Sequence, residues 1–229
     1  MAAVLVLLSF LWFLWGREGA LARRLEGIGA WLGHPAGVLL RNRAIWVLAL
    51  CQTGAAVAFS AFITFYPGYA MDRMGISLTA VGLIMGVFSV GGLLGSFTSG
   101  PLPQWKQRRK PFVWLPGLLL PAIYAGLVYA DSVPLAALLQ ALAGVCAMGV
   151  APVIFTIPLD LKLAPREVAV AQALLRTMFP VGATIGPLLV AGLEAGTGSL
   201  ALGLYVVAPL ALSLFVGGVL LPETGSRAK

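Results

Sequence analysis

The sequence predicts an all-α fold, a polytopic bundle of transmembrane helices. Three observations lead there. First, 60% of the residues are hydrophobic and only 10% are charged, with a mean hydropathy of +0.97, whereas a soluble domain carries roughly 25% charged residues. Second, long uncharged apolar stretches alternate with short loops, and the cations gather in every other loop. Third, the chain matches itself at a fixed offset.

Residues 1–15 are apolar, short for a full span and without the basic start of a signal peptide. They read as a partial transmembrane helix, or as a short first span. Residues 16–43 form a polar connector with Arg17, Arg23, Arg24, Arg41 and Arg43. Within it Leu21, Leu25, Ile28 and Leu32 recur at helical spacing. An amphipathic helix on the membrane surface and a solvated linker both fit.

Residues 44–66 make the next span, with Pro67-Gly68 expected to end it and Asp72 and Arg73 expected in the following loop. Residues 78–102 carry no charge over about 25 positions, enough for a hydrocarbon core of about 30 Å. Gly91, Gly95 and Ser99 recur every fourth residue there, a spacing that lets helix backbones approach in lipid. Lys106, Arg108, Arg109 and Lys110 follow. Further spans are read at 111–130, interrupted by Pro116 and Pro121, at 134–158, at 168–193 and at 200–221, with a tail at 222–229.

With the 16–43 connector placed inside the cell, every Lys and Arg except Arg73 and Arg176 lies in an inner loop or the tail. The opposite orientation strands them outside, so the positive-inside rule fixes the topology and leaves the C-terminus cytoplasmic. The net charge of +7 therefore marks membrane orientation and not a nucleic-acid surface. Cys51 and Cys146 fall in apolar stretches and read as packing residues, and His34 is the sole histidine. There is no G-x-S-x-G, P-loop, H-E-x-x-H or dinucleotide fingerprint. No catalytic residue, metal ligand or cofactor is expected.

Shifted by 91 positions, Pro67 falls on Pro158, Phe88 on Phe179, Val90 on Val181, Gly91 on Gly182, Leu94 on Ile185 and Gly95 on Gly186. The shared pattern, F-x-V-G-x-x-[LI]-G, sits on helices that cross in opposite directions. That is a 3+3 inverted repeat, the arrangement described for each half of one transporter superfamily.

These features resemble the major facilitator superfamily of secondary transporters. The loop Gly100, Leu102, Gln104, Trp105, Gln107, Arg108, Arg109, Lys110 is similar to that family's G-x-L-x-D-R-x-G-R-[KR]-[KR], with Gln104 and Trp105 in place of the acidic residue and first arginine. A plain basic stop after a membrane helix also accounts for the cations. The ending Leu221-Pro222-Glu223-Thr224-Gly225 is likewise similar to a frequent family ending.

The resemblance implies that residues 44–221 are the C-terminal six-helix bundle, 1–15 the end of the sixth helix and 16–43 the central cytoplasmic connector. It implies secondary transport of a small solute by alternating access in the plasma or inner membrane. It also implies a partner bundle, an N-terminal half or a second copy, to complete the cavity. Gly100, Arg108, Arg109 and Lys110 would form the conformational loop. The alternative is a truncated or split half with no transport of its own.

Arg176 is the sharpest single residue, about nine residues and roughly 13 Å into its span. A central arginine costs about 2.5–3.5 kcal/mol in lipid, so it should face protein or a watery cavity. A contact to an anionic solute, a gating ion pair, and a structural pair with Asp160 all fit. Gln172 lies one turn earlier on the same face. Gln52, Thr53, Phe59, Ser60 and Tyr66 of the first span are pathway candidates, as are Gln140 and Thr156; bonding across helices fits each of them too.

Overall fold

The computed structural model describes residues 42–100, 109–161 and 163–221. The partial helix at 1–15, nearly all of the connector, Lys106, Arg108 and the 222–229 tail lie outside the described residues. Among the described residues, six helices are long and apolar enough to cross a membrane. They are α1 (Arg43–Met74), α2 (Leu78–Thr98), α3 (Pro111–Tyr129), α4 (Val133–Asp160), α5 (Pro165–Thr197) and α6 (Leu200–Leu220). The chain is a helical membrane bundle, as its composition requires. In lipid only internally bonded helices or closed barrels satisfy the backbone.

One boundary differs from expectation. Pro67 does not end α1, which runs 32 residues to a left-handed Gly75 (φ 62°). The Gly75 N–H donates to the Met71 carbonyl at 2.9 Å. A proline removes one N–H, and continuing the helix keeps every later group bonded where water is scarce. Asp72 and Arg73 therefore ride on the last turn of α1 and not in a loop. In α6 the middle tightens to a 3₁₀ turn, Ala208–Leu212, with Pro209 near its start.

Packing follows the repeat. The most extensive contacts are α2 on α4 and α1 on α5, and the internal symmetry relates these two pairs. A methyl group at Gly91 would overlap the Ala141 carbonyl oxygen, and one at Gly95 would overlap that of Val145. The repeat partners behave alike: Gly182 lies on the Thr53 carbonyl and Gly186 on that of Val57. The two contacted pairs share one offset, since 141 − 53 and 145 − 57 both give 88. Phe59 sits between the repeat-related Phe88 and Phe179, with ring centroids 6.0 and 6.1 Å away.

Each end of the bundle is fastened by an ion pair. At one end Arg73 meets Asp131 at 2.8 Å, beside the Tyr69 hydroxyl, which donates to the Val128 carbonyl at 2.7 Å. At the other end Arg109, just before α3, meets Asp160 at the end of α4, also at 2.8 Å. The Lys110 ammonium donates to the Val219 carbonyl of α6 at 3.2 Å.

Gly95→Ala and Gly186→Ala are each expected to destabilise the protein by about 1–3 kcal/mol, because backbone must move to admit the methyl. Gly86, with nothing within 4 Å of an added Cβ, should accept alanine with a neutral or stabilising effect of up to about 1 kcal/mol. Thermal unfolding in detergent checks both, and equal effects at all three sites would contradict the packing scheme.

Candidate functional site

A cavity of about 380 Å³ opens between α1, α4 and α5, with α3 and α6 at its base. Helical spacing builds each wall. Gln52 and Phe59 lie seven apart on α1, Met148, Ala151 and Phe155 share one face of α4, and Arg176, Phe179 and Pro180 share one face of α5. Leu120, Tyr124 and Leu214 close the base. The lining is almost wholly apolar. Among the described residues its polar or charged members are Arg176, Gln52 and Tyr124.

Arg176 is exposed to this space, and its guanidinium carbon lies 5.1 Å from the centroid of the Phe155 ring. This is cation–π geometry. Among the described residues it has no carboxylate partner. The pairing with Asp160 considered from sequence is not formed, because Asp160 is engaged by Arg109. Gln52 is only 7% exposed, and its carboxamide oxygen is buried with no donor among the described residues.

The other candidates are placed differently. Gln172 donates through Nε2 to the Phe155 carbonyl and thereby fixes the backbone that carries Phe155. Ser96 donates to the Met148 carbonyl at 3.4 Å, the group that Pro152 cannot engage. Thr53 lies in the α1–α5 contact, its hydroxyl 2.8 Å from the Ala49 carbonyl and 3.4 Å from that of Met178.

Tyr66 is 1% exposed, behind the wall in a cluster with Phe62 and Tyr69. Its hydroxyl has no partner among the described residues. Phe62 in turn stacks on Tyr124 at 4.3 Å, which carries the cluster to the cavity base. Gln140 reaches the Met85 sulfur at 3.6 Å, and Thr156 bonds back to the Val153 carbonyl at 2.8 Å; neither lines the cavity. Gly100 is an exposed turn after α2.

The structure therefore brings together Gln52, Phe59 and Arg176, and adds Phe155, Phe179, Tyr124 and Met148, which sequence reasoning passed over. A search for polar residues in apolar spans cannot find them. The available signals were the repeat, which includes Phe179, and the position of Phe155 between Pro152 and Pro158.

The sequence model described as Major Facilitator Superfamily matches residues 1–162 and, in a second and overlapping match, residues 48–229. No curated protein matches the chain.

A double-mutant cycle on Arg109→Gln and Asp160→Asn is expected to be non-additive by about 0.5–3 kcal/mol in unfolding free energy. Both side chains are less than a third exposed, and each single change takes a charged partner away from the other residue. Strict additivity would show that the pair does not fasten α3 to α4.

Proposed function

Since the chain belongs to the major facilitator superfamily and is a membrane transporter, we propose that it moves a small solute by secondary active, alternating-access transport, with Arg176 at the solute site. One observation carries this reading: a lone guanidinium, free of any acidic partner among the described residues, faces an otherwise apolar cavity walled by three long helices. Lipid disfavours such a group unless it serves water or a ligand.

In this reading residues 44–221 are the C-terminal six-helix bundle, and a second bundle, an N-terminal half or another copy, closes the open side of the cavity. The bundle sits in the plasma or inner membrane with its C-terminus in the cytoplasm. Arg43, Arg109 and Lys110 share one end with the end of α6, and Arg73 lies at the other, as the positive-inside rule favours. The loop from Gly100 through Arg108, Arg109 and Lys110 is the conformational element. Its ion pair with Asp160 holds one end shut until the bundle tilts. Thr53, Gln172 and Tyr66 act from behind the cavity wall, positioning α5, Phe155 and Tyr124.

Counterflow of radiolabelled sugars, amino acids and organic acids into proteoliposomes tests the reading. At least one solute should exchange faster than in empty liposomes. Arg176→Gln should slow that exchange by about tenfold, the loss of one charge-assisted hydrogen bond, while Arg73→Gln, in an exposed pair, should stay within about twofold. With the second bundle reconstituted alongside, exchange no faster than in empty liposomes for the whole panel would refute transport, and unchanged exchange in the Arg176 variant would remove that residue from the site.

A further inference from the structure

Building on the transport reading, we propose that the solute is an aromatic monoanion, a flat apolar ring bearing one carboxylate, with the carboxylate on Arg176 and the ring among Phe59, Phe155 and Phe179. Charge sets the first requirement. Among the described residues the cavity lining contains no Asp, Glu, Lys or His beside Arg176. In these low-dielectric surroundings a cationic solute is repelled, and a dianion keeps one charge uncompensated. A single negative charge balances the site. The guanidinium presents a planar fork of donors that matches a carboxylate, and no protein acceptor engages it among the described residues.

Shape sets the second requirement. Aromatic side chains reach the cavity from four helices: Phe59 on α1, Tyr124 on α3, Phe155 on α4 and Phe179 on α5. Phe59 and Phe179 are tilted at 51° to one another, so a third ring lying against the pair meets an edge and a face, the arrangement aromatic groups prefer. Phe155 already lies against Arg176, which places the anion site and the ring site side by side. A volume of about 380 Å³ suits a one-ring acid and falls within the usual range for ligand pockets.

Gln52 adds a third requirement. Its carboxamide oxygen is buried without a donor among the described residues, in a residue 7% exposed, and such groups are rare unless something completes them. A hydroxyl on the ring supplies the donor when the carboxamide turns toward the cavity that Gln52 lines. A hydroxylated aromatic acid should therefore bind more tightly than its parent.

The test is equilibrium binding of radiolabelled 4-hydroxybenzoate and benzoate to the full chain in nanodiscs, with benzamide, benzylamine and acetate as competitors. Both acids should bind saturably, the hydroxylated one more tightly. Each competitor should be weaker than benzoate by about tenfold or more, because each lacks either the charge or the ring. Arg176→Gln should lose affinity by about tenfold or more, with Arg176→Lys retaining part of it. Phe155→Leu should weaken both acids. Gln52→Leu should remove the preference for the hydroxylated acid.

Benzamide competing as well as benzoate, tighter binding of benzylamine, no saturable binding of either acid, or unchanged binding in both Arg176 variants would each overturn the proposal. Counterflow separates this inference from the reading beneath it. Selective binding without exchange of the bound acid would refute transport and keep the site. Exchange of a sugar or a cation that aromatic acids do not inhibit would refute the solute class and keep transport.

Discussion

Backbone contact at four glycines is the constraint on which the rest of this bundle depends. Lipid tails are as apolar as leucine, so burial of apolar side chains supplies little drive for helices to associate in a membrane. Close approach must supply it instead, through dispersion and polar contacts between backbones. Gly91 and Gly95 bring α2 onto α4, while Gly182 and Gly186 bring α5 onto α1. These two pairs set the spacing of α1, α4 and α5 and hence the width of the cavity between them. A side chain at any of the four positions would push a wall outward and part Phe59 from Phe88 or Phe179.

Much of this was legible in the sequence, because lipid makes a few rules strict. The spans follow from uncharged length, and the glycine stripes from their fourfold spacing. The repeat follows from an ungapped match that the packing then reproduces at a second offset. Pro67 misled because a proline-glycine pair ends helices in water, where freed carbonyls find solvent. In lipid the helix is the cheapest conformation on both sides of it. The true stop, Gly75, is marked by its left-handed backbone, which sequence shows only as one glycine among 28.

The site was legible in part, for a related reason. Polar residues stand out in apolar spans, and of those singled out, Gln52 and Arg176 do reach the cavity. Thr53 and Gln172 stand out equally, yet they bond to neighbouring backbone, since an unpaired hydroxyl or amide in a membrane takes whatever acceptor is nearest. Sequence gives no distance between helices, so it cannot separate a solute contact from a helix–helix bond. Nor could it show that Asp160 would choose Arg109, 51 positions away by number (160 − 109), over Arg176. Phe155 and Phe179 were hidden by being ordinary: an aromatic residue in an apolar span carries no signal until its neighbours are known.

The division of polar groups matches the mechanics proposed for the protein. One ion pair stands at each end, Arg73 with Asp131 and Arg109 with Asp160. Ser96 engages the Met148 carbonyl that Pro152 leaves open, and Gln172 holds the Phe155 carbonyl from α5. Within the membrane spans, the Arg176 guanidinium has no carboxylate partner among the described residues, and the buried Gln52 oxygen and Tyr66 hydroxyl have no hydrogen-bond partner there. Polar groups that hold the bundle are satisfied, and those left over are where a solute would be read.

Alternating exposure of this cavity is the central claim, and cysteine accessibility measures it most directly. Ala151→Cys, placed in the cavity wall with Cys51 and Cys146 changed to alanine, would be labelled by a membrane-impermeant thiol reagent from each side of the native membrane. The expected result is reaction from both sides at rates that shift in opposite directions as a transported solute is added. Reaction from neither side, or from both sides with rates that rise and fall together, would contradict it.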